Sequence, residues 1–333
     1  MRSILDGHSS GEGEGNVESG RENRPKVVCV CGPTAAGKTA LAVALAARFS
    51  GEIVSCDSMQ IYRGLDIGTA KATPEERALA PHHMLDVALP EEPYSVDRFV
   101  AEASAAVAGI LARGNLPVFT GGTGLYMEAL LRGEAFQPVS GEAQIRQRLS
   151  RICDRFGGER MHRLLRAVDG ESAAKFHPND HRRVLRALEV YYETGRPLSR
   201  HNRETADKRR YTPLWIGVTC RRREVLYERI NRRVDAMYAA GLAEEAAWLG
   251  ARGGAATALQ AIGYKEILRA VRAGGTPESA SEEIKQASRR YAKRQLTWLR
   301  GNGEIQWLYS DESGPEAMLS QAEHIVSEFL ESS

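Results

Sequence analysis

The chain has 333 residues, 42% hydrophobic and 26% charged, with a formal net charge of only +2. Those fractions belong to a globular protein with a sizeable core, either one large domain or a core carrying an inserted lobe. No apolar run approaches the roughly 18 residues that a membrane-crossing helix needs, so no membrane is expected as partner. The five cysteines (29, 31, 56, 153 and 220) lack C-x-x-C spacing and mostly sit in apolar runs, which reads as buried thiols in a reducing cytoplasmic setting and not as disulfides or a zinc site.

Residues 1–24 hold five Gly, four Ser and no aromatic, and lack the apolar centre of a signal peptide. They read as a disordered leader. Val27–Cys31 is then a short β-branched run, followed by Gly32-Pro33-Thr34-Ala35-Ala36-Gly37-Lys38-Thr39 and an Ala/Leu-rich helix from Thr39 to Phe49. The eight residues match the P-loop pattern G-x-x-x-x-G-K-[ST] between a strand and a helix, as the pattern requires. Backbone N–H groups at such a helix N-terminus surround a polyphosphate. Lys38 adds a point charge to its terminal phosphates and Thr39 a hydroxyl to Mg²⁺. Taken alone, the loop points to ATP or GTP.

Further strands are expected at Glu52–Cys56 and Leu116–Thr120, with a helix over Ser95–Arg113 whose Phe99, Ala103, Val107 and Ile110 share a face. This alternation predicts a parallel sheet flanked by helices over residues 25–137, with ligands at the carboxyl ends of its strands. Asp57 closes the second strand, taken to lie beside the P-loop strand, and Thr123 follows two glycines at the end of the third. An aspartate there has three open roles: a ribose contact, a water-mediated hold on Mg²⁺, or a general base. Residues 59–71 are too glycine-punctuated for a helix and read as a binding loop.

From about 138 to 205 three helical patterns follow with no strand between them, predicting an inserted all-helical lobe. His177 and His181 stand four apart, but Pro178 breaks the helix that would align them on a metal; an Asn/Asp cap for the helix at Arg182 is the better account. Residues 206–330 complete the core: a strand at Leu214–Val218, then helices at about 223–240, 243–250 and 281–300. In the last, Ile284, Ala287, Tyr291 and Trp298 are expected to face the core, with Arg289, Arg290, Lys293 and Arg294 on the other side. Between Arg182 and Arg233, 15 Lys/Arg stand against 6 Asp/Glu, an asymmetry that suggests a large polyanionic partner.

G-P-T-A-A-G-K-T, D-S-M-Q-I-Y-R-G-L-D-I-G-T-A-K (57–71), G-G-T-G-L-Y (121–126), H-P-N-D (177–180), R-A-L-E-V (186–190), G-Y-K-E (263–266) and K-R-Q-L-T-W-L-R (293–300) occur in that order. In these motifs the chain resembles the tRNA dimethylallyltransferases from residue 27 to about 308. The resemblance implies a P-loop NTPase-like α/β core and transfer of a dimethylallyl group from dimethylallyl diphosphate to N6 of adenine 37, next to the anticodon. The loop would then hold an isoprenoid diphosphate in place of ATP, with Mg²⁺ as cofactor. Carried over by position, Asp57 becomes the general base, Ser58, Met59 and Gln60 line the base pocket, and Thr123 sits at the reacting centre. Arg223 matches an arginine assigned to the diphosphate. Arg146, Arg182, Arg183, Arg186, Gln260, Gly263, Tyr264, Lys265, Lys293, Arg294, Gln295, Trp298 and Arg300 fall where the family grips the tRNA anticodon stem-loop. Ala36 replaces a common serine, with little effect expected in a loop that binds through its backbone. The missing C-terminal Cys/His pair indicates the bacterial type, and nothing in the sequence demands more than a monomer. Three rivals share part of this pattern: a small-molecule P-loop kinase, an enzyme prenylating free adenine nucleotides, and a nucleic-acid-binding regulator without catalysis.

Overall fold

A computed structural model describes residues 24–133, 143–205, 209–255 and 257–332. Its strands are β1 (Lys26–Cys31), β2 (Gly51–Ser55), β3 (His82–His83), β4 (Leu116–Gly121), β5 (Thr212–Thr219) and β6 (Gln306–Tyr309). They form one sheet in the order β3-β2-β4-β1-β5-β6 with every pairing parallel. Parallel strands are covered on both faces, which is why β1 reads as an unbroken apolar run. Its alternate residues serve two cores: Val27, Cys29 and Cys31 pack with Phe119 and Trp215, while Val28 and Val30 pack with Ile53, Val118 and Ile216.

The helices of the first part are α1 (Lys38–Arg48), α2 (Pro74–Leu79), α3 (Val96–Ala112) and α4 (Gly124–Arg132). The lobe holds α5 (Ala143–Phe156), α6 (Gly158–Val168), α7 (Gly170–Lys175), α8 (His181–Thr194) and α9 (Leu198–Thr205). It has its own core, including Leu149, Met161, Leu165, Val184 and Leu188. Asp180 caps α8 by accepting from the Arg183 amide, as the sequence suggests. After β5 come α10 (Arg223–Ala239), α11 (Leu242–Arg252), α12 (Tyr264–Arg272), α13 (Ser281–Leu299) and, beyond β6, α14 (Pro315–Glu331). Among the described residues no helix is long and apolar enough to cross a membrane. The first 23 residues of the expected leader, and the expected start of the lobe at 138, lie outside the described residues.

Three expectations change. β2 does not lie beside β1: β4 stands between them, pairing with both. Strand patterns carry no record of sheet order, because the crossover helix can return the chain one or two places away. β3 and β6, of two and four residues, are too short to show a period. Finally, Trp298 is 41% exposed, and the buried positions of α13 near its end are Ala292, Gln295 and Leu299. A polar residue took the core-facing place because it has specific partners there.

Candidate active site

The loop leaving β1 turns at Gly32, where a Cβ would lie 2.2 Å from the Val218 carbonyl oxygen of β5, and reaches α1 through Gly37 at φ +98°. Both positions exclude ordinary L-residues. Gln295 of α13 then clamps the loop: the Thr34 amide donates to Oε1 at 3.0 Å, while Nε2 donates to the Gly122 carbonyl at 2.9 Å. The P-loop is thereby tied to the turn after β4. Between the P-loop, the 57–71 loop, α10, α12 and α13 lies a cavity of about 270 Å³ at the carboxyl ends of the strands. That is where ligands collect in open parallel sheets.

Its electrostatics are one-sided. Burial, followed by the Arg233 guanidinium, pushes the Lys38 ammonium down to about 8, with Asp57 and Cys31 opposing. Burial depresses the Arg233 guanidinium as well, again with Asp57 opposing. Neither cation has a carboxylate within 4.0 Å among the described residues. Two half-buried cations without a counterion are costly unless an anion joins them. The carboxylate nearest in role is Asp57, whose Oδ1 accepts from the Met59 amide at 2.9 Å. Tyr291 of α13 faces it from across the cavity. Burial and then Asp57 push that phenol up, while Thr123 and Gln295 oppose.

The loop from Asp57 to Lys71 keeps its shape without regular structure because polar side chains satisfy its backbone. Gln60 Nε2 donates to the carbonyls of Thr69 and Ala70 at 3.2 Å, and its Oε1 accepts from Ser55 at 2.9 Å. From α11, Glu245 accepts from the amides of Asp66, Ile67 and Gly68 at 2.8–2.9 Å and from the Tyr264 hydroxyl at 2.5 Å. Opposite this loop the wall is apolar: Ile230, Val234, Met237, Ile262 and Ile284. The cavity thus combines a cationic end, a carboxylate and an apolar side.

The family described as IPP transferase matches residues 60–302, and that described as Isopentenyl transferase matches residues 25–83. The tRNA dimethylallyltransferase of Geobacillus thermodenitrificans is 47% identical over 90% of this chain and 95% of its own. That of Symbiobacterium thermophilum is also 47% identical, over 91% and 94%. The chain belongs to the IPP transferase family. Among solved structures, the tRNA isopentenylpyrophosphate transferase of Bacillus halodurans superposes with a TM-score of 0.69 at 40% identity, covering 93% of this chain and 97% of that one. A eukaryotic dimethylallyltransferase acting on tRNA gives 0.76 at 29% identity, over 91% and 80%.

For an IPP transferase, the residues expected from sequence fall into three groups. Thr34, Lys38, Thr39, Asp57, Ser58, Met59 and Gln60 meet at the cavity, joined by Gln260, Gly263, Lys265, Arg294 and Gln295. Gly32, Pro33, Ala35, Ala36 and Gly37 shape the loop, and the Ala36 side chain is wholly buried, so it fills the space expected of it without a polar partner. A second group supports the site from behind. Thr123 accepts from the Ser58 amide at 3.2 Å, and Tyr264 is fully buried against Gly68 and Glu245. Tyr264 is therefore a brace, not the exposed contact its motif suggests.

The third group lies elsewhere. Arg223, expected on the diphosphate, is 72% exposed in the first turn of α10 and stacks over Tyr227. The arginine of α10 that lines the cavity is Arg233, ten residues or about 15 Å further along the helix. The sequence does carry a trace of it: Arg233 interrupts the apolar stripe Ile230, Val234, Met237, where a cation needs a reason to be. Arg146 forms a two-point ion pair with buried Glu189, and Arg186 lies 3.5 Å from the same carboxylate. Arg183 pairs with Asp180, while Arg182 is exposed. Lys293 and Trp298 of α13 and Arg300 at its C-terminal end are exposed, with the Trp298 ring over Gly124.

Proposed function

We propose that this chain transfers a dimethylallyl group from dimethylallyl diphosphate to the N6 amine of an adenine beside a tRNA anticodon, working as a monomer. The observation that carries the reading is the single cavity in which unpaired Lys38 and Arg233, the Asp57 carboxylate and an apolar wall face one another. The diphosphate occupies the cationic end, where the P-loop amides and both cations meet its oxygens. The five-carbon group lies along Ile230, Val234 and Met237. As the allylic C–O bond breaks, its electron pair leaves with the diphosphate, and those positive groups stabilise the growing charge without having to reorganise. The adenine amine bonds to the freed carbon, and its N6 proton passes to Asp57. A base so placed contributes about 10²–10⁴-fold.

Thr39 would hold a magnesium ion: its hydroxyl stands at the start of α1 in the cavity lining beside Lys38, an oxygen donor of the kind that hard cation takes together with substrate phosphates. When bound, it adds positive charge to the leaving group. The exposed cations Arg182, Lys293, Arg294 and Arg300 suit the backbone of a single-stranded loop, from which a base is withdrawn at low cost.

The test supplies labelled dimethylallyl diphosphate, Mg²⁺ and an unmodified tRNA with adenines 3′ of the anticodon. Label in the tRNA with release of diphosphate is expected. Label in AMP but not in tRNA, or turnover of the ATP γ-phosphate, overturns the reading.

A further inference from the structure

Beside the active-site cavity lies a second hollow of about 20 Å³, room for a single water. Lys38, Thr39, Asp57 and Gln60 line both spaces, so the two adjoin at the carboxylate. Its far side is formed by Thr120 at the end of β4 and His82 of β3. Thr120 Oγ1 and His82 Nε2 are both buried and find no protein partner, and Thr120 is only 8% exposed. The histidine's tautomer follows from its other nitrogen. Nδ1 lies 2.8 Å from the Ala80 carbonyl oxygen, which can only accept, so Nδ1 carries the hydrogen and Nε2 presents a lone pair.

We propose that this hollow holds one water linking Asp57 to His82 Nε2, with Thr120 Oγ1 as its third partner, and that the adenine proton leaves Asp57 by this route. The proposal rests on the reading of Asp57 as base. The N6 proton first passes to the Asp57 carboxylate. The water then takes it while giving its own proton to Nε2, which restores the carboxylate. Because Nε2 is buried and Nδ1 is held by Ala80, the imidazolium gives the proton back through the same water, to solvent that enters the adjoining cavity once the products have left. Arg77 and Glu76 of α2, His83 of β3, Lys38 of α1 and Asp57 itself face this histidine. Burial depresses its pKa and the Ala80 carbonyl opposes, with Arg77 and His83 adding to the depression and Glu76 opposing. Burial thus favours the neutral ring, which keeps the Nε2 lone pair free and makes the imidazolium a short-lived holder of the proton.

The test measures multiple-turnover transfer to an anticodon stem-loop, in which Asp57 must be restored on every cycle, by the full-length enzyme in H₂O/D₂O mixtures. His82→Asn keeps a donor for Ala80 and removes Nε2. We expect it to slow transfer by at least about tenfold, with donor affinity within about twofold, and to turn a bowed proton inventory into a straight one. In His82→Ala, added imidazole should restore part of the rate, which a purely structural loss would not allow. Thr120→Val should slow transfer less and leave affinity intact. A wild-type rate and inventory in His82→Asn overturns the relay. So does a loss that imidazole does not repair and that comes with a changed Mg²⁺ requirement, which would assign the hollow to the metal. Asp57→Asn reports separately: if it still transfers, the base reading fails, whereas an inactive Asp57→Asn beside a normal His82→Asn sinks the relay alone.

Discussion

Around the P-loop, two cations converge on one cavity with no carboxylate in ion-pair contact among the described residues, whereas in the helical lobe Arg146, Arg183 and Arg186 are engaged by the lobe's own acids. Both regions contribute to the same excess of positive charge between Arg182 and Arg233. The difference teaches that a count of charges locates neither site nor partner. An unpaired, desolvated cation is an energetic debt that only a ligand settles, while an arginine paired with Glu189 is part of a helix bundle.

The sharpest way to break this contrast is at Asp57, the one carboxylate among the described residues that line the cationic cavity. Asp57→Ala should lower the transfer rate by about 10²–10⁴-fold while leaving diphosphate binding within a few-fold. Because Asp57 also holds the Met59 amide, Asp57→Asn serves as the variant that keeps the turn. Rates near wild type in both would remove the base role. Next in size is the choice between two arginines of α10. Arg233→Ala should cost about 10²–10³-fold in kcat/KM for the donor, as loss of a preorganised donor to a developing anion does. Arg223→Ala should stay within about twofold. The reverse order would return the diphosphate site to the start of the helix.

That pair also marks how far the sequence was legible. The strand, loop and helix around Lys38, the loop shape of 57–71 and the all-helical character of the lobe follow from patterns spaced by two to four residues, so a linear reading finds them. What escaped depends on contacts between distant segments. β4 inserts between β1 and β2 because of a crossover that no local pattern records. Gln295 is buried because it joins the P-loop to Gly122, residues more than 170 positions away in sequence. Tyr264 and Glu245 look like surface residues of two separate helices until they close on Gly68. Arg233 was hidden by its neighbours: in a basic run only its place in the apolar stripe of Ile230, Val234 and Met237 sets it apart, a weak signal until its depth in the cavity is seen.

A third prediction uses pH to test whether Lys38 is unpaired in the free enzyme. Its ammonium loses its proton at about 8, against an ordinary 10.5. Donor binding needs the charged form, so kcat/KM for the donor should fall by about tenfold per pH unit above about pH 8. Stability moves the other way. Between pH 8 and 10.5 the unfolded chain holds a proton that the native site has released, so stability relative to Lys38→Met should rise with pH there. Lys38→Arg should abolish the falling limb of activity. A limb at the same pH in that variant would mean that another group titrates.

The smallest effect lies in the lobe and asks whether Arg146 grips RNA or its own bundle. Its guanidinium meets Glu189 at 2.8 and 3.1 Å, joining α5 to α8. Glu189 is 5% exposed and Arg146 67%, so removing the arginine strands a buried carboxylate whereas removing the glutamate frees a solvated cation. If the pair is a brace, Arg146→Ala and Glu189→Ala should each lower thermal stability, and the double variant should lose less than their sum. The coupling should sit at the low end of about 0.5–3 kcal/mol, because the exposed guanidinium is screened by solvent. Both single variants should then raise KM for tRNA together, through a loosened lobe. A phosphate contact gives another pattern: Arg146→Ala weakens tRNA binding and flattens its salt dependence by about one ion, while Glu189→Ala does neither. Measuring KM for tRNA across salt concentrations in both variants therefore decides whether this arginine belongs with Arg182, which is exposed, or with the paired cations of the bundle.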